Sequence, residues 1–144
     1  MIKFNKIILA VELVSTERDL VEKAMDLAKK FKAQVFLVHA IEHISAYGSA
    51  YGIAVSAEIE DALFKSATKQ MRALGKKHGI PEKNQIIKFS AAKVAILEEA
   101  ESRKADLIML GSHGRQGMNL LLGSTANAVI HTAKCDVFAV RIKK

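Results

Sequence analysis

Asp106-Leu107-Ile108-Met109-Leu110-Gly111-Ser112-His113-Gly114-Arg115-Gln116-Gly117 is the stretch that decides the reading of this chain. Asp106 to Leu110 is a short apolar run of the kind that forms a buried strand. The segment after it is rich in glycine, and a helical pattern, Ala126-Asn127-Ala128-Val129-Ile130, begins after Gly123-Ser124-Thr125. A strand, a glycine-rich connection and a helix start together suit an anion such as phosphate. Glycines let the backbone come close and take positive φ, while the unpaired N–H groups of a helix start carry partial positive charge.

Outward from that stretch, the same alternation covers the chain. Lys6 to Val11, Val35 to Val38, Ile86 to Phe89 and Val137 to Val140 read as further strands, the first apolar enough for a central place buried on both faces and the second buried as well. Between them, helical spacing links Leu20, Val21, Ala24, Leu27, Ala28 and Phe31 in a helix from Thr16, with Glu17 and Asp19 near its start. A second helix, Glu58 to about Lys77, carries Leu63, Ala67, Met71 and Leu74 and stops near Gly79 and Pro81. A third, Lys93 to Arg103, places Ile96, Leu97 and Ala100 inward, with Glu98 and Glu99 turned outward. A loop from about Ala40 to Ser56 contains Tyr47 and Tyr51. Strands separated by helices, without tight hairpin signals, predict α/β architecture: a five-stranded parallel sheet with helices on both faces, in one domain over 1–144. Ligands of such sheets sit beyond the carboxyl ends of the strands, where neighbouring crossovers part to opposite faces.

Composition narrows the function. Half of the 144 residues are hydrophobic, enough for a real core, and the single cysteine, Cys135, excludes an internal disulfide and fits a reducing, cytoplasmic setting. No stretch approaches the roughly 18 apolar residues of a membrane span. The net charge of +7 comes from scattered lysines such as Lys29-Lys30 and Lys76-Lys77, without a dense stripe or interleaved aromatics, so specific nucleic-acid binding is not expected.

With those residues in place, the chain resembles the universal stress proteins of the UspA type. The resemblance rests on Lys6 to Glu12, Val38-His39-Ala40, Asp106 to Arg115, Gly123-Ser124 and Cys135 to Arg141. It implies the Rossmann-like three-layer α/β/α fold of the adenine nucleotide alpha-hydrolase kind. It also implies a stress-associated regulatory protein that binds ATP or AMP, a divalent metal accompanying ATP, and a homodimer formed through the C-terminal edge strand with a further protein partner. By position, Ala10, Val11 and Glu12 would line base and ribose, and Ala40 would offer main-chain hydrogen bonds to adenine with Leu110 near it. Gly111 and Gly114 would admit ribose and phosphates, Arg115 would approach the phosphates, and Gly123, Ser124 and Thr125 would donate to them.

The residues also leave a second reading open, a dimeric stress adaptor that binds no nucleotide. Two departures from the family pattern discriminate for it, eight residues rather than nine between Gly114 and Gly123 and Glu12 where aspartate is usual; a third departure is Ser90-Ala91-Ala92 where Gly-x-Pro is common. On that reading Gly111 and Gly114 only turn the chain and Ser124 only caps a helix. A Walker loop is excluded because Gly123 stands where lysine would precede Ser124, and the dinucleotide fingerprint by Ser112-His113 between the first two glycines. The pairs His39/His43 and His131/Cys135 do not make a metal site. The 111–125 connection holds no carboxylate and Asp106 sits at the far end of its strand, so the sequence favours binding over turnover and leaves slow hydrolysis open.

Overall fold

The structure, a computed structural model, describes residues 2–42, 57–112 and 123–142. Its elements are β1 (Lys6–Ala10), α1 (Arg18–Phe31), β2 (Gln34–Ile41), α2 (Ala57–His78), β3 (Gln85–Phe89), α3 (Ala92–Ser102), β4 (Leu107–Ser112), α4 (Ser124–Thr132) and β5 (Asp136–Arg141). Short 3-10 turns at Ser15–Glu17 and Glu82–Asn84 precede α1 and β3. The sheet is five-stranded in the order β3-β2-β1-β4-β5, and every pairing is parallel.

The alternation of side chains along the central strands sorts two apolar layers. Ile7, Leu9 and Val11 face Leu20, Val21, Ala24 and Ala28 of α1 and Met71 of α2. Ile8 faces the other way, onto Ala95, Ile96 and Ala100 of α3 and Ala126 and Val129 of α4, in company with Phe36, Val38, Ile108 and Leu110. Thus α1 and α2 cover one face, α3 and α4 the other. The chain leaves β1 toward the first face and β4 toward the second, and these two strands are neighbours. Their carboxyl ends are therefore the place where the crossovers part.

The expected strands and helices are present, with three differences. β2 extends to Ile41 because His39, Ala40 and Ile41 pair with Ile87, Lys88 and Phe89 of β3, so Ala40 lies in a strand rather than opening a loop. β4 likewise continues through Gly111 and Ser112, which pair with Val140 and Arg141. Glu99, expected to face outward, is buried at 8% exposure. Lys88 Nζ and Arg103 Nε each approach its carboxylate at 3.4 Å, while Glu98 stays exposed. Two cationic partners make that burial tolerable. The loop residues His43, Tyr47 and Tyr51 lie outside the described residues, as do His113, Gly114 and Arg115.

Asp106 has a structural post at the amino end of the sheet. Its Oδ2 accepts the amides of Asn5 (2.7 Å) and Lys6 (2.9 Å), tying the start of β1 to the start of β4. Hydrogen bonds to charged groups contribute about 1.5–3 kcal/mol in general, less when exposed to water. Asp106→Ala is expected to lower the unfolding free energy by about 1–3 kcal/mol in a urea titration; an unchanged midpoint would show that the clamp carries no stability.

Candidate functional site

The end of β1 is built by side chains that take up its last peptide groups. Val11 donates its amide to the Val38 carbonyl at 2.9 Å, continuing the β1–β2 ladder by one bond. Peptide groups along a strand point alternately to its two neighbours, so Ala40, two residues past Val38, turns its N–H and C=O to the same side. The regular acceptor for the Ala40 amide would be the Val11 carbonyl. That carbonyl instead accepts Nδ1–H of His39 at 2.8 Å, which fixes the tautomer of the ring. The ladder stops there, and the peptide edge of Ala40 is left facing the crevice.

Beyond Val11 the backbone turns sharply, with Leu13 at φ 64°. The amides of Glu12, Leu13 and Val14 converge on the carboxylate of Glu17. Glu12 N–H reaches both oxygens at 2.9 and 2.8 Å, and Leu13 and Val14 reach Oε1 at 3.0 and 3.5 Å. Glu17 is only 3% exposed. Burial pushes its pKa up from 4.5, the amides pull it down, the charge of Glu12 pushes up again, and the net direction is upward.

Together these pieces border an open cavity of about 770 Å3, within the roughly 300–1,000 Å3 range of small-molecule sites. Ala10, Val11 and Glu12 line it from β1, and Ala40 from β2. Leu110 and Gly111 line it from β4, and Gly123, Ser124 and Thr125 from the start of α4. The expected site residues that fall in the described part of the chain thus meet at one cavity; Gly114 and Arg115 lie outside the described residues. Ile96 and Ala126 add an apolar wall. Among the described lining residues there are carboxylates, Glu12, Glu17 and Glu42, but no lysine or arginine. The positive potential on the described wall comes from the start of α4. Gly123 is its N-cap, and the first-turn amides of Ser124, Thr125 and Ala126 have no acceptor among the described residues.

Sequence reasoning missed two of these parts. By spacing, Glu17 reads as a helix-start acid and His39 as half of a histidine pair, and neither reading points to these contacts. The one legible hint was an acid shortly after a strand whose exit, Glu12-Leu13-Val14-Ser15, has no glycine to turn on. Cys135 is half-buried against the α3–α4 layer and burial raises its pKa, which keeps it a poor thiolate.

A native pKa above the unfolded one means that the folded chain holds this proton more tightly. The stability contributed by Glu17 titration is therefore present at low pH and is lost as pH rises from 4.5 through the native value. A carbon-13 titration is expected to place the Glu17 carboxyl midpoint above the ordinary glutamate value of 4.5, and Glu17→Gln to remove this part of the pH dependence. A Glu17 midpoint at or below 4.5 would contradict the assignment.

Comparison with known proteins agrees with this architecture. The sequence matches the family model described as the universal stress protein family over residues 3–141. Universal stress protein A homolog 2 of Coxiella burnetii is 49% identical over 144 residues, covering 99% of each chain. Among solved structures, hypothetical protein MJ0577 superposes with a TM-score of 0.80 at 21% identity, covering 99% of each chain. A universal stress protein in complex with cAMP superposes with a TM-score of 0.60 at 21% identity, over 96% of this chain and 98% of that one. Sheet order, cavity and sequence lead to one statement: the chain belongs to the universal stress protein family.

Proposed function

We propose that this chain binds an adenine nucleotide, ATP or AMP, in the cavity at the ends of β1, β2 and β4, and acts as a stress-associated regulator rather than an enzyme. The observation that carries the proposal is the pairing of two unlike ends in one cavity. The Ala40 peptide edge offers one donor beside one acceptor, the pattern that matches the edge of adenine, and the start of α4 offers amides and the Ser124 and Thr125 hydroxyls to phosphate. Val11, Leu110 and Ile96 supply apolar contact for a flat base between them. A solved relative in fold holds cAMP, a ligand of the same chemical class.

Magnitudes say where affinity comes from. An exposed anion at a helix start gains about 0.3–1 kcal/mol, whereas micromolar binding requires about 8 kcal/mol. Burial of the base and several hydrogen bonds supply the larger part. The carboxylates around the cavity disfavour a bare triphosphate, so ATP arrives with a divalent cation, for which Glu12 and Glu42 are hard oxygen donors of the right class. Arg115, carried by the connection before α4, is the proposed cation for the phosphates, and Gly114 the point of close approach.

The regulatory output follows from order. A ligand that bridges β2 and the start of α4 biases the 111–125 connection toward one arrangement, and it does so only by its differential affinity for two states. Among the described residues β5 pairs with β4 alone and exposes Phe138 and Ala139, which makes it the proposed homodimer edge. The proposed setting is the cytoplasm, with a protein partner reading the nucleotide state.

Thermal melts with ATP, AMP and GTP test the proposal. An adenine nucleotide at about 100 times its dissociation constant should stabilise the chain by roughly 2.7 kcal/mol. Ser124→Glu and Gly114→Glu, each adding negative charge at the phosphate end, should abolish the shift without unfolding the protein. No shift with any adenine nucleotide would favour the dimeric adaptor, and undiminished binding in both variants would place the site elsewhere.

A further inference from the structure

The cavity is bordered by two clusters of backbone amides, and among the described residues only one of them finds an occupant. At the start of α4, Ser124, Thr125 and Ala126 present first-turn amides with no acceptor among the described residues. At the end of β1, the amides of Glu12, Leu13 and Val14 are gathered by a turn through positive φ at Leu13, and successive amides in that shape form an anion-binding concavity. The occupant of the second concavity is the side chain of Glu17.

We propose that Glu17 is a specificity-determining residue: a built-in anion that occupies the β1 amide concavity, denies it to phosphate, and confines the charged group of any ligand to the α4 end. Simple capping of the 3-10 turn does not account for the contacts. A capping side chain serves the amide of Val14, the residue before the turn, and that bond is the longest of the set at 3.5 Å. The shorter ones, 2.8–3.0 Å, go to Glu12 and Leu13 farther upstream. The turn itself closes without the carboxylate, because the Glu17 amide donates to the Val14 carbonyl at 3.2 Å. All of its recorded partners are donors, as an ionised occupant requires.

Two consequences distinguish Glu17 from a residue that only supports the fold. Without its charge, the β1 concavity should accept a tetrahedral oxyanion that the native protein refuses there. With it, a ligand enters one way round, its uncharged portion against Val11 and Ala40 and its anionic portion at Ser124 and Thr125. The second consequence rests on the nucleotide reading above; the first does not.

The probe is inorganic pyrophosphate, titrated at constant ionic strength into the full chain and into Glu17→Ala while backbone amide resonances are followed. In the native chain the amides of Glu12, Leu13 and Val14 should not move; movement there would overturn the proposal without any variant. In Glu17→Ala the same amides should shift, with at least tenfold tighter pyrophosphate binding, and a folded variant that shows no gain would also overturn it. If the alanine variant does not fold, the native titration decides alone. Parallel melts of the native chain with AMP separate the two claims. AMP binding without a gain in Glu17→Ala sinks the role of Glu17, whereas a gain without AMP binding sinks the nucleotide reading and leaves Glu17 standing.

Discussion

The way β1 ends governs the rest of the molecule. A central strand buried between β2 and β4 must hand its chain to one face while its neighbour β4 goes to the other, and a gap opens between them. A buried donor left without a partner costs about 1–3 kcal/mol. The chain resolves this with side chains rather than with more sheet. His39 takes the Val11 carbonyl and Glu17 takes the amides of Glu12, Leu13 and Val14, so the strand stops cleanly and the gap persists as a cavity.

Those two side chains also decide the character of the cavity. By intercepting the Val11 carbonyl, His39 leaves the Ala40 peptide edge unspent by the ladder, and a hydrogen-bonding edge appears on an otherwise apolar wall. By filling the amides after β1, Glu17 makes that corner electrically satisfied and leaves the start of α4 as the attractive end for an anion on the described wall. The cavity is thus asymmetric by construction. In the proposed reading its acidic lining disfavours an anion, and recognition of the uncharged part of a ligand carries most of the binding.

Much of the fold was legible because the central strands are buried on both faces. Ile7, Ile8 and Leu9 are all fully buried, and such runs have no polar alternation to confuse with a surface strand. The helices were legible from the spacing of Leu20, Val21, Ala24 and Ala28, and of Ala67 and Met71, which are buried in the core. Ala40 and Gly111 were assigned to loops because strand ends depend on what the neighbouring strand offers, and that is not local information. Glu99 was misread for a similar reason: its partner Lys88 lies on another element, and helical spacing alone cannot reveal it. Of the candidate site, the residues on strand ends and at the start of α4 were found from the glycine pattern and the resemblance. His39 and Glu17 were not, since each acts by bonding to backbone, which carries no signature in residue type.

The central claim is that the uncharged edge at Ala40 and the amides at the start of α4 act together on one ligand. Mapping of backbone amide shifts during an AMP titration tests this most directly. The account predicts that the amides of Ala40 and of Ser124, Thr125 and Ala126 move together along one saturating curve. Saturable AMP binding that leaves both groups still, or moves only residues remote from the cavity, would contradict it.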